Sequence, residues 1–287
     1  MDQRLIDLYD DFEHTHFDRR LFLSRAAKLL GSTAAAAAML PLFFSNDALA
    51  VTVPEDDPAL TTERVNYPGA TGEVMAYLAQ PREGPAQRGS VIIVHGNRGL
   101  NAHVEDMARR FAKEGYNGLG VDFLSPLGGT PAPDLNSERR ASDLDPVETV
   151  ADAVATANWL RGRADSNGKV GITGYCWGGG VSNSTAVADP LLSAAVPYYG
   201  RVPDAADVPK IQAPLLLNYA DPTLDTRIGA MLPGYEAALN AAGKSYTLHT
   251  YEGAQHAFND DTQVRYHPEA SALAWSRTLA FFEEHLS

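Results

Sequence analysis

Between Val170 and Gly180 the chain reads Val-Gly-Ile-Thr-Gly-Tyr-Cys-Trp-Gly-Gly-Gly, and no other stretch constrains the fold as tightly. Residues 170–173 have the β-branched, apolar character of a buried strand, and the residues after Cys176 open a helix. Between them lies Gly174-Tyr175-Cys176-Trp177-Gly178, in which two glycines flank one reactive side chain. A chain that passes from strand to helix in so few residues must turn sharply. The central residue takes strained backbone, and small neighbours let strand and helix approach each other closely. The side chain at 176 then stands above the edge of a sheet. The following helix directs its positive end at the sulfur, which favours the thiolate. The Trp177 N–H can point at a developing oxyanion. A lone cysteine is more often a small buried hydrophobe; the strand–turn–helix context is what argues for chemistry.

The rest of the chain supplies the sheet that such an elbow needs. Residues 63–67 and 73–79 are predicted as two short strands, separated by Pro68-Gly69 and Thr71-Gly72. Residues 90–94 are a β-branched apolar run, the mark of a strand buried on both faces. Asn101 is placed to cap a helix to about residue 114, with Val104, Met107, Ala108 and Phe111 on one face and Gly115 ending it. Further strands are predicted at 118–123, 194–198, 214–219 and 245–251, and further helices at 146–161, 231–242 and 268–285. The long stretch 124–143, rich in Pro, Gly and Ser, has the character of a lid or binding wall. Strands alternating with helices imply an α/β fold, a mostly parallel central sheet with helices on both faces. Ligands in such sheets bind at the carboxyl ends of the strands. With no internal repeat and no second linker, residues 51–287 are expected to form one domain.

The formal net charge of -13 over 287 residues repels phosphate backbones and argues against a nucleic-acid partner. Cys176 is the one cysteine, so no intrachain disulfide and no cysteine-based zinc cluster can form. Near the N-terminus, Arg19 and Arg20 precede Leu21, Phe22 and Leu23. An alanine-rich stretch follows to about Phe44, and then Ala48-Leu49-Ala50. This pattern reads as a twin-arginine-type export signal over residues 1–50, cleaved at Ala50. A membrane-anchoring helix is the alternative, but Lys28, Gly31, Ser32 and Pro41 make the stretch a poor permanent span. The expected partner during export is the twin-arginine translocase. The expected location of the processed chain is the periplasm or the exterior, with no stable membrane span.

A thiol nucleophile at such an elbow needs a base and an acid, which follow it in the order acid, then histidine. Of the candidates His249, His256 and His267, His256 lies in the loop directly after the last strand, where the fold delivers its base. His249 falls inside a strand, and His267 precedes Pro268 at a helix start, where a capping role is expected. The acid should follow strand 214–219, and both Asp221 and Asp225 qualify; spacing does not choose between them. A second oxyanion donor should come from the loop after strand 90–94, which reads His95-Gly96-Asn97-Arg98-Gly99-Leu100, with the Asn97 backbone N–H as the candidate. His95 is expected to serve structure.

Across residues 60–286 the chain resembles the dienelactone hydrolase family. The likeness rests on four stretches: Asn97-Arg98-Gly99-Leu100, residues 124–131 (Leu-Ser-Pro-Leu-Gly-Gly-Thr-Pro), residues 174–180, and Gly253-Ala254-Gln255-His256-Ala257-Phe258. Within the family it is similar to a twin-arginine-exported branch with a Leu-Asp-x-Arg-Ile stretch, matched by residues 224–228. The resemblance implies an α/β-hydrolase fold and a triad of Cys176, His256 and Asp225, so it selects Asp225 over Asp221. It also implies Trp177 and Asn97 as oxyanion donors, a small-molecule ester or lactone substrate, and neither metal nor cofactor. The chain departs from the family at two places. Gly96 stands where a glutamate that contacts the resting thiol is common. The acidic run Asn259-Asp260-Asp261 stands where dienelactone-specific members carry an arginine for the substrate carboxylate. Arg98, Arg201, Arg227 and Arg265 are the candidates to replace that arginine. A general carboxylesterase or thioesterase, or a non-catalytic binding protein on the same fold, are the alternative expectations.

Overall fold

A computed structural model describes residues 4, 5, 8, 9, 12, 19–36, 51–131 and 141–287. Eight strands form one sheet: β1 (Leu60–Pro68), β2 (Glu73–Pro81), β3 (Arg88–Val94), β4 (Asn117–Asp122), β5 (Ser166–Tyr175), β6 (Ala194–Tyr198), β7 (Leu215–Ala220) and β8 (Tyr246–Tyr251). Their spatial order is β1-β2-β4-β3-β5-β6-β7-β8. The pairs β1/β2 and β2/β4 are antiparallel, and every other pair is parallel. The helices are α1 (Arg19–Leu30), α2 (Ala102–Lys113), α3 (Pro146–Arg161), α4 (Trp177–Ala188), α5 (Thr226–Gly229), α6 (Leu232–Ala241) and α7 (Pro268–Leu286). This is the α/β-hydrolase fold expected above.

The sheet divides two cores. Ile92 and Val94 of β3 point into one, with Leu119, Ile172 and Leu217 and the inner faces of α3, α4 and α6. Val91 and Ile93 point into the other, with Phe111 and Phe282 of α2 and α7. Burial on both faces is why β3 reads as an unbroken apolar run rather than an alternating one.

The strand order reverses at β3, which lies between β4 and β5, and a reversal of this kind opens a crevice at the carboxyl ends. The parallel register pairs Val94 with Gly174, so β3 and β5 end level with each other. The loop beginning at His95 and the elbow at Cys176 therefore emerge side by side.

Strands β1, β2 and β5 run beyond the expected residues for one physical reason. Strand β5 continues through Gly174 and Tyr175 because both keep ladder partners, Pro197 and Tyr198 on β6. Strands β1 and β2 extend to nine residues each, since their antiparallel register holds from Leu60–Pro81 to Pro68–Glu73. Asn101 caps α2 as expected, its side chain accepting from the Val104 N–H at 3.1 Å.

At the N-terminus, Leu5, Leu8, Tyr9 and Phe12 pack with Phe22 and Ala26 of α1 and with Ala36. No helix among the described residues is long and apolar enough to cross a membrane. The cleavage pattern at Ala50 lies outside the described residues, as do residues 132–140 of the long stretch after β4.

Candidate active site

Cys176 takes φ 58° and ψ -114°, a strained backbone for an L-residue, and occupies the N-cap position of α4. Its N–H donates to Tyr198 O at 3.2 Å, and its carbonyl accepts from Gly179 N–H at 3.1 Å. The flanking glycines are required by contact. A Cβ on Gly174 would sit 2.3 Å from Gly178 O, and a Cβ on Gly178 would sit 2.5 Å from the carbonyl oxygens of both Val94 and His95. The elbow is thus pressed against the end of β3 as well as turned on itself. Cys176 remains half-buried and lines a cavity together with Asn97, Tyr199 and His256.

His256 comes from the loop after β8. Its Nδ1 lies 2.7 Å from Asp225 Oδ2, and both side chains are buried. Asp225 in turn caps α5, its Oδ1 accepting from the Ile228 N–H at 3.4 Å. Asp221 faces elsewhere. Its Oδ2 accepts from the Gly253 N–H at 2.9 Å and its Oδ1 from Thr223 N–H and Oγ1. The Gly253 and Thr223 donors hold the Asp221 carboxyl below its ordinary pKa. Asp221 stitches the acid loop to the histidine loop, while Asp225 reaches the imidazole. His249 lies on β8 away from the cavity lining. His267 is the cap of α7, its Nδ1 accepting from the Ala270 N–H at 3.3 Å.

On the opposite wall, Asn97 is buried and braced through its own acceptors: its carbonyl takes Ala141 N–H at 2.9 Å and its Oδ1 takes Ser142 N–H at 2.8 Å. Trp177 stacks on His95 at 5.4 Å between ring centroids, with 12° between planes. Gly96 is not a packing requirement. A Cβ there would meet only Tyr175 O, at 3.8 Å, an ordinary van der Waals contact.

Of the four arginines considered as carboxylate holders, Arg98 and Arg265 line the cavity, whereas Arg201 and Arg227 are exposed elsewhere. The acidic run after His256 is matched by cations of the chain itself. Asp261 accepts from Arg110 at 2.6 Å and lies 3.1 Å from His103 Nδ1, which is also 3.6 Å from Asp260. Burial opposes charge on His103, but Asp260 and Asp261 outweigh it and raise its pKa above the ordinary value.

Among the lining residues that the sequence analysis does not anticipate are His103, Tyr199 and Tyr9. His103 lies on the apolar face of α2, four residues before Met107, and that spacing could have flagged it. Tyr199 directly follows β6 and packs its ring 4.8 Å from His256. Tyr9 belongs to the segment that reads as an export address. Its hydroxyl accepts from Arg98 Nη2 at 2.9 Å, and the guanidinium carbons of Arg98 and Arg265 lie 5.7 and 5.4 Å from its ring centroid.

Residues 74–286 match the sequence model of the dienelactone hydrolase family. The chain belongs to the dienelactone hydrolase family. A Yersinia pestis protein provisionally named carboxymethylenebutenolidase is 29% identical over 232 residues, covering 76% of this chain and 86% of that protein. A Bradyrhizobium protein provisionally named 2-oxo-3-(5-oxofuran-2-ylidene)propanoate lactonase is 30% identical, covering 76% of this chain and 92% of its own length. Among solved structures, a provisionally assigned dienelactone hydrolase from Klebsiella pneumoniae superposes with a TM-score of 0.69 at 27% identity, over 78% of this chain and 99% of that one. As a dienelactone hydrolase-like hydrolase, the protein acts on ester or lactone bonds.

Proposed function

We propose that this dienelactone hydrolase-like enzyme cleaves its ester or lactone through a Cys176 thioester. The thiolate attacks the carbonyl carbon, forming a C–S bond, while the carbonyl oxygen takes the negative charge. The Trp177 and Asn97 N–H groups hold that oxyanion. The C–O bond then breaks, and the leaving alkoxide takes a proton from the His256 imidazolium. Water gives a proton back to His256 as its oxygen attacks the thioester, and the thiolate departs. Asp225 orients the imidazole and stabilises its cationic form.

The observation that carries this reading is the arrangement at one cavity. A strained cysteine at a helix N-terminus shares it with a buried histidine, and that histidine's far nitrogen is 2.7 Å from a buried carboxylate. The relatives named for lactone substrates support a small-molecule ester or lactone. Cys176→Ala is expected to lower hydrolysis of an activated ester by about 10³-fold or more in folded protein. Undiminished activity would refute the thiol. A panel of activated esters, thioesters and unsaturated lactones separates the family substrate class from a general carboxylesterase or thioesterase.

The leader is part of the same reading. Residues 1–50 are a twin-arginine address, recognised by the translocase and removed near Ala50, and the mature domain of 51–287 works in the periplasm or outside the cell. The Arg19-Arg20 pair followed by Leu-Phe-Leu supports it. Substituting both arginines by lysine should hold the protein in the cytoplasm on cell fractionation. Unchanged export would reject the address.

A further inference from the structure

The buried imidazole of His95 is not used by the chemistry just described, yet both its nitrogens are committed. The Phe123 N–H donates to Nε2 at 3.1 Å, so Nε2 is the acceptor and the ring proton resides on Nδ1. Nδ1 lies 2.6 Å from Gly96 O and donates to it. The same carbonyl accepts from Gly99 N–H at 3.3 Å. Burial favours the neutral ring and depresses the His95 pKa.

What those bonds fix is a peptide plane. Gly96 C=O and Asn97 N–H belong to one planar trans amide, so they point in opposite directions. Two donors pinning the carbonyl on one side set the direction of the N–H on the other. The far side of Asn97 is held as well, through Ala141 and Ser142. The His95 ring also stacks on Trp177, the residue whose N–H is the second donor, while the His95 carbonyl abuts the site where Gly178 admits no Cβ.

We propose that His95 is a positioning residue that aims the oxyanion hole, orienting the Asn97 N–H through the Gly96 carbonyl and bracing Trp177 by stacking. The proposal rests on the oxyanion assignment above and adds a residue to it. His95 touches no substrate; it acts through the peptide that does.

The test compares H95F and H95Q in the full chain. H95F keeps a stacking ring and loses both hydrogen bonds, whereas H95Q supplies one donor and one acceptor. For an activated aryl ester, H95F should lose about 10- to 100-fold in kcat, part of what removing one oxyanion donor costs. KM and the rate of Cys176 alkylation by iodoacetamide should stay within about twofold, because neither uses the oxyanion hole. H95Q should recover most of kcat. An unchanged kcat in H95F overturns the proposal. So does a parallel fall of kcat, alkylation rate and substrate affinity, or an H95Q as slow as H95F. If H95F does not fold, proton–nitrogen correlation of histidine-labelled native protein decides: a proton on Nδ1 supports the proposal, and one on Nε2 refutes it. Cys176→Ala separates the two readings. If it retains hydrolysis while H95F shows the selective kcat loss, the thiol fails and His95 stands. If it is inactive while H95F is unimpaired, His95 alone fails.

Discussion

The loop after β3 and the loop after β8 face each other across Cys176, and each brings a buried histidine, but they are held by different forces. The first is fastened by neutral hydrogen bonds. His95 spans Phe123 N–H and Gly96 O, and Asn97 is braced by Ala141 and Ser142. The second is fastened largely by charge. His256 meets Asp225, Asp221 ties Gly253, and Asp261 clasps His103 and Arg110 of α2. A donor that must only point needs a rigid frame and no titrating support. A base that must gain and lose a proton needs a carboxylate beside it. The difference also gives the two walls opposite responses to pH.

The largest effect that tests this contrast is at the acid. Asp225→Asn should lower kcat by about 10²- to 10⁴-fold, because the imidazole loses its orienting charge. Asp221→Asn should cost less than about tenfold, since it only loosens a loop tie. Steady-state kinetics on both variants decides, and a larger loss at Asp221 would reverse the assignment of the two carboxylates.

The next is at His103. Removing the imidazole with His103→Gln takes one cationic partner from Asp260 and Asp261, leaving Asp261 on Arg110, and should destabilise the fold by about 2 kcal/mol near pH 6. The sign with pH follows from the raised pKa. The contribution is fully present below the unfolded value of about 6.5 and is lost as pH rises through the higher folded value. His95 runs the other way. Its depressed pKa costs nothing above about 6.5 and subtracts stability as pH falls through that range. Denaturant titrations of the native protein and His103→Gln across pH 5–9 should therefore converge at the alkaline end.

A smaller effect is expected at Gly96. The position has room for a Cβ, so Gly96→Glu should fold and bring a carboxylate toward the thiol. A like charge disfavours the thiolate, and Cys176 alkylation should slow by about fivefold to tenfold at pH 7. An unchanged rate would mean that the carboxylate does not reach the sulfur's field. Smallest of all, a chain beginning at Val51 loses Tyr9 from the cavity lining. Its kcat/KM for a small ester should rise by about twofold to fivefold, and a fall would assign Tyr9 to substrate binding.

The elbow was legible because its demands are local: two glycines at contact distance and a cysteine at a helix start lie within five residues. The parallel sheet was legible from strands alternating with helices, and β3 from an unbroken apolar run of the kind that burial on both faces selects. The choice between Asp221 and Asp225 was not available from spacing, because both follow β7 within a few residues. The resemblance pointed to Asp225. What separates them physically is which one the Gly253 N–H captures, a contact between loops distant in sequence. Tyr199 gave no local signal. His103 shares its face with ordinary core residues, and Asp261, which gives it a charged partner, lies far along the chain. Tyr9 was passed over because the segment carrying it was read only as an address.

The central claim is that the reaction passes through a covalent bond to Cys176. Mass spectrometry after a single turnover with an activated aryl ester, quenched in acid, tests it most directly. The expected result is an acyl mass on the Cys176 peptide that forms with release of the alcohol and decays with release of the acid. Hydrolysis at the native rate with no adduct on that peptide would contradict it.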